Sequence, residues 1–128
     1  MATREFDREF ERLMQTVRVL RGHFSKIYGE IEADLIRLRF KRDRAGHTKL
    51  NNVRRKMRED YDKALELIAN QITSVEELKR TRSVLRSAAD QAFKFVDEMR
   101  RVKKTIDQFA KAAGFLSDLL GALKKILR

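Results

Sequence analysis

The chain has 128 residues, with 30 Lys and Arg against 19 Asp and Glu, and a formal net charge of +11. Proline and cysteine are absent and glycine occurs five times, which excludes disulfides and thiolate metal sites and argues against sheet or low-complexity linkers. What is left is a composition for long helices, rich in Leu, Ala, Lys, Arg and Glu, at a length suited to one domain burying about two-thirds of its unfolded surface.

The opening stretch MATREFDREFERL is charged from its fourth residue, unlike a secretory signal, and no apolar run approaches the roughly 18–20 residues of a membrane span. The expectation is an intracellular protein, peripheral if it meets a membrane at all. The first apolar ladder runs Phe6, Phe10, Leu13, Val17, Leu20, Phe24, Ile27, Ile31, Leu35, Leu38. Its steps alternate four and three, with one slip where Asp34 takes a seam position, and this coiled-coil-like pattern predicts helix 1 over residues 3–43. In the RAGHT stretch that follows, Gly46 suits a left-handed C-terminal cap and Thr48 an N-cap.

Helix 2 is expected over 48–72 on the pattern Leu50, Val53, Met57, Tyr61, Ala64, Leu65, Ile68, Ile72. Thr73 with Glu76, or Ser74 with Glu77, has the spacing of a capping box, so helix 3 starts near residue 74 and runs antiparallel beside helix 2. One helix-3 ladder holds strict sevens from Leu78 through Leu85, Ala92, Met99, Ile106, Ala113 and Leu120 to Leu127. A second runs Thr81, Ala88, Phe95, Val102, Phe109, Leu116, Leu123. Because register survives Gly114 and Gly121, the reading is one helix over 74–127, with a kink or fold-back near Ala112–Gly114 as the alternative. The fold class is all-α, an elongated antiparallel three-helix bundle.

The lengths conflict. At 1.5 Å per residue the three rods measure about 60, 35 and 80 Å, so straight helices strand two apolar ends, near residues 3–20 and 101–127. The amphipathic segment 105–128 makes this acute. On a wheel of about 100° per residue, Phe115, Leu116, Leu119, Leu120, Leu123, Ile126 and Leu127 share an arc of roughly 140°, opposite Ser117, Asp118, Gly121, Lys124, Lys125 and Arg128. Seven such side chains represent about 10–20 kcal/mol of gross burial at ~1.5–3 each, so the face must be covered by fold-back, by a second copy, by a helical partner or by lipid. These seven are the expected assembly or membrane residues. Ala110, Gly114, Ser117 and Gly121 flank them as a small-residue stripe that permits close helix approach.

Charge is concentrated too. Residues 37–58 hold ten basic side chains against Asp43 alone, and RRVKK at 100–104 adds four more. The bundle geometry brings both to one end, giving a basic pole for a polyanion, for which the candidates are Arg39, Lys41, Arg42, Arg44, Arg54, Arg55, Arg58, Arg100, Arg101, Lys103 and Lys104. Nucleic acid is one partner of that kind, bound without sequence reading because no helix-turn-helix, finger or RNA-binding sheet pattern is present and only Phe40 interleaves the charges. An anionic membrane is another, since GFLSDLLGALKKIL is similar in type to cationic membrane-active peptides, which also admits a membrane-active or pore-forming protein. An acidic protein partner and a merely solubilising pole stay open.

Nothing points to catalysis, a cofactor, a metal or a small-molecule substrate. His23 and His47 are isolated, neither has Glu three residues away as di-metal bundles require, and the glycines form no phosphate loop. Carboxylates at Glu30, Glu32 and Asp34 and at Glu59, Asp60 and Asp62 have Arg or Lys at helical spacing, as Asp34 has Arg37 and Glu59 has Lys63. Asp34 and Thr81, polar on apolar ladders, read as register devices. The sequence therefore leads to a non-enzymatic, self-associating helical protein with a basic docking pole.

Overall fold

The computed structural model describes residues 4–127 and is all-helical, with four helices rather than three: α1 (Arg4–Phe40), α2 (Arg44–Gln71), α3 (Val75–Met99) and α4 (Ile106–Ile126). Of the expected bounds, Thr3 and Arg128 lie outside the described residues, α1 stops at Phe40 instead of 43, and α2 begins at Arg44 instead of 48. The long third helix is divided. It breaks at residues 100–105, not at Ala112–Gly114, and the segment beyond turns back along the bundle.

The principal interfaces are α1/α3, α2/α4, α3/α4 and α1/α2, which puts α2 and α3 on opposite corners of the four-helix arrangement. Pairing of α1 with α3 is parallel, as ion pairs Glu5–Lys79 (3.3 Å) and Glu9–Arg82 (3.6 Å) join their first turns. The parallel pair α2/α4 is tied likewise by Lys49–Asp107 at 2.9 Å. Helices 2 and 3 were expected to be side by side. They do run in opposite senses across the short 72–74 connection, but α3 begins level with Glu5, and α1, not α2, offers the apolar face there. Ser74 is the N-cap of α3, accepting from Glu77 N at 3.2 Å, while Thr73 N and Oγ1 both donate to the Glu77 carboxylate. Those hydrogen bonds from Thr73 hold the Glu77 carboxyl below its ordinary pKa.

The seam of α1 is buried as its spacing implies, from Leu13 through Val17, Leu20, Phe24, Ile27 and Ile31 to Leu35. They join Leu50, Met57 and Ala64 of α2, and Leu78, Leu85, Ala88, Ala92 and Phe95 of α3, in one continuous core. Asp34 is buried at its seam position and bonds Arg37. Thr81 is fully buried with no hydrogen-bond partner for its hydroxyl among the described residues.

The remainder of the core comes from α4. Phe109, Ala112, Ala113, Leu116, Leu119, Leu120, Leu123 and Leu127 are buried, and Phe115 and Ile126 pack at its edge. Of the covers open to this apolar face, which were fold-back, a second copy, a helical partner or lipid, the structure has fold-back: the face packs on the chain's own α2 and α3. The reason is the length conflict itself. A straight continuation would have carried these side chains past the end of α1, whereas reversal at 100–105 lays them against the bundle. A Cβ added at Gly114 or Gly121 meets nothing within 4 Å, so the small-residue stripe is not a close helix contact.

Candidate functional site

Two chain reversals meet at the end of the bundle where the positive charge collects. The first joins α1 to α2 in three residues. Asp43 N donates to Leu38 O (3.0 Å) and Arg42 N to Arg39 O (3.1 Å), the paired bonds of a Schellman closure. The closure puts Arg42 in the left-handed region at φ 58°. Asp43 then caps α2, its carboxylate accepting from Gly46 N at 2.9 Å. Gly46 is therefore inside the first turn of α2, not at a left-handed cap, and Thr48 is not the N-cap. A Cβ at residue 46 would stand 2.6 Å from Asp43 Oδ2, so the glycine makes room for the capping carboxylate.

The second reversal, α3 to α4, contains no glycine, proline or left-handed residue. Arg101 N and Val102 N both donate to Glu98 O (3.0 and 2.9 Å), and Thr105 starts α4 with a complete capping box, Thr105 N to Gln108 Oε1 (2.8 Å) and Gln108 N to Thr105 Oγ1 (3.2 Å). Lys104 turns inward. It is buried, its Nζ bonds Glu98 Oε2 at 2.5 Å, and it lies 5.0 Å from the centre of the Phe95 ring, which itself meets Phe109 at 5.8 Å. The hydrogen bond from Lys104 holds the Glu98 carboxyl below its ordinary pKa, and that from Lys49 does the same for Asp107. Helix propensity alone would continue α3 through RRVKK, but like charges three and four apart in that stretch each oppose it by a few tenths of a kcal/mol. Burial of α4 adds to that repulsion, and together they outweigh the helix propensity of the stretch.

The eleven candidate cations do not form one set. Arg39, Lys41, Arg42, Arg44, Arg55, Arg100 and Lys103 are exposed and Arg54 half-buried, and no carboxylate pairs with any of the eight among the described residues. Arg39, Arg42 and Arg44 ring an open recess of about 740 Å³ beside His47 and Thr48, floored by Leu38. Arg54 joins Arg39 and His47 around a neighbouring recess. Lys41 and Lys103 come together from separate reversals at the rim of a cleft of about 260 Å³ over Leu38, Leu50 and Ile106.

Three candidates stand apart. Lys104 is consumed inside the fold, Arg101 pairs with Asp97 (3.3 Å), and Arg58 pairs with Asp62 (3.4 Å). Arg58 also faces a different cleft, between α1 and α2, with Tyr28, Tyr61 and Arg21. Three further basic residues of the 37–58 stretch are paired as well: Arg37 with Asp34 and Glu30, Lys49 with Asp107, and Lys56 with Asp60.

Of two apolar members of the pole, Phe40 already stands among the charges in the sequence and Val102 is not legible as such. Phe40, the last residue of α1, is 83 % exposed, and Val102, in the second reversal, is 60 % exposed. Val102 occupies a ladder position and looks like core until the helix is known to break there. Ile36, one turn before Phe40, is also exposed.

Among the described residues, no group of three or more His, Asp or Glu side chains could hold a metal ion, and no helix is long and apolar enough to cross a membrane. His23 is half-buried against Phe93 at 5.6 Å, and burial lowers its pKa, with a smaller contribution from Lys26. No protein-family model, curated protein or solved structure matches this chain.

Proposed function

We propose that this is a non-enzymatic docking protein whose basic pole binds a polyanionic surface. The observation that carries the reading is the local excess of positive charge. Along the flanks and at the far end acids are interspersed with the bases and some pair, as in Glu5–Lys79, Glu9–Arg82 and Glu76–Arg80. At the pole, where residues 37–58 hold ten basic side chains against Asp43 alone, eight candidate cations form no ion pair among the described residues. Unpaired like charges within a Debye length of about 8 Å repel one another, and a multivalent anion relieves that repulsion while releasing its counterions. Assembly through α4 has less support, because the side chains it would use are spent in the core.

Salt-dependent retention on heparin tests the reading. The triple variant Arg39→Glu/Arg42→Glu/Arg44→Glu should elute at much lower salt than wild type. Lys63→Glu/Arg86→Glu/Lys94→Glu changes net charge equally on the flanks and should elute close to wild type. Equal losses from both variants would mean that net charge, not the pole, is responsible.

A further inference from the structure

We infer that the anionic surface taken by the pole is a lipid bilayer, with Phe40 and Val102 entering its apolar layer while the surrounding cations hold the headgroups; this rests on the polyanion-docking reading. The three most exposed large apolar side chains among the described residues are Phe40 (83 %), Val102 (60 %) and Ile36, all near this one end. Phe40 sits between Arg39 and Lys41 at the tip of the first reversal, and Val102 between Arg101 and Lys103 in the second. The two reversals face a common cleft, which Lys41 and Lys103 both line. Single exposed apolar residues need no explanation, but the three most exposed all lying toward the end that carries the unpaired cations do.

A phosphate backbone rewards the cations and gives an exposed valine nothing. The bilayer interface rewards both, since anionic headgroups lie directly above hydrocarbon. Shape agrees with charge. The pole is formed by the tips of two adjacent helix reversals, which can press on a plane, and no helix or ribbon projects from it to enter a groove. Each cation that reaches the surface should raise vesicle partitioning about fivefold, and insertion of Phe40 should raise it tenfold or more. The apolar contact therefore shifts from α4, where the amphipathic pattern first suggests it, to the tips of the pole.

The chain contains no tryptophan, so the full-length Phe40→Trp protein reports on this one position, with Phe93→Trp, an exposed site on the flank of α3, as its control. With vesicles of phosphatidylserine and phosphatidylcholine, Phe40→Trp emission should shift to the blue and quench with brominated lipid, while Phe93→Trp emission stays unchanged. Wild type should float with those vesicles and not with phosphatidylcholine alone. Phe40→Ser/Val102→Ser should lose tenfold or more in partitioning while its melting curve and its heparin retention stay as in wild type.

An unshifted Phe40→Trp spectrum, or a serine variant that floats like wild type, would overturn the inference. Binding to a mixed-sequence DNA duplex without flotation would overturn it too, yet leave the polyanion reading standing. Failure on vesicles, duplex and heparin alike at low salt would remove both.

Discussion

The two reversals that build the pole are made by opposite means. Between α1 and α2 the backbone closes on itself, with a Schellman pair, a left-handed Arg42 and the Asp43 cap, all within Leu38–Gly46. Between α3 and α4 the local bonds are those of Arg101 N and Val102 N to Glu98 O and the Thr105 capping box, with no left-handed residue. The turn is held further by Lys104 drawn onto Phe95 and Glu98 and by α4 packed on α2 and α3. One reversal is a local structure that tertiary packing uses. The other is a consequence of tertiary packing. The contrast shows how one end of a bundle can be both charged and firmly placed: Lys41, Arg42, Arg100 and Lys103 are carried on short connections fixed by groups beneath or beside them, and Arg39, Arg44, Arg54 and Arg55 on the adjoining helices.

The strongest way to break the contrast is to weaken the packing that only the second reversal needs. Phe109 is fully buried against Phe95, so Phe109→Ala should cost about 3–5 kcal/mol in denaturant unfolding. Amide exchange in α4 should rise before that in α1 and α2. Uniform loss of protection would place the two reversals on the same footing. A smaller effect of opposite sign is expected at the first reversal. Arg42→Gly removes the left-handed penalty of an L side chain and should stabilise by about 1 kcal/mol, little changed in high salt. A gain that vanishes with salt would instead assign the effect to relief of charge repulsion.

The gentlest probe is acid. Glu98 and Asp107, on either side of the second reversal, have native pKa values below 4.5 and 3.8 because Lys104 and Lys49 bond their ionised forms. Their stabilisation is complete above those unfolded values and is lost as pH falls through the lower native ones. Loosening of α4 seen by NMR on acidification should therefore set in below about pH 4, by ordinary carboxylate values, and be reduced in Glu98→Gln. Loosening well above that range in wild type would mean that other groups govern the reversal.

The sequence was informative where apolar spacing met an uninterrupted helix. The α1 seam from Leu13 to Leu35 and the helix-3 ladder from Leu78 to Phe95 are core residues in the structure. Spacing fails at Phe10, which is largely exposed while neighbouring Glu9 is buried with Arg12 and Arg82. Spacing also hid the break at 100–105. Phe95, Val102 and Phe109 are seven apart, so the loop that carries Val102 replaces one heptad and both flanking helices stay in phase. The local signal was the Thr105–Gln108 pair, visible as T-x-x-Q but weaker than an unbroken ladder. Collection of Arg39, Lys41, Arg42 and Arg44 with Arg100 and Lys103 followed from the charge runs and the first turn. Removal of Lys104 from that set depended on Phe95 and Glu98 being within its reach, a matter of tertiary distance.

The order of the helices along the chain has a consequence for synthesis. A detached α4 would carry an uncovered face of Phe109, Leu116, Leu119, Leu120 and Leu123. It follows α2 and α3 in the polypeptide, so by the time it leaves the ribosome the two surfaces that receive it have already been made. The same order spares the chain a stage in which its most apolar helix has been made but has nothing to pack on.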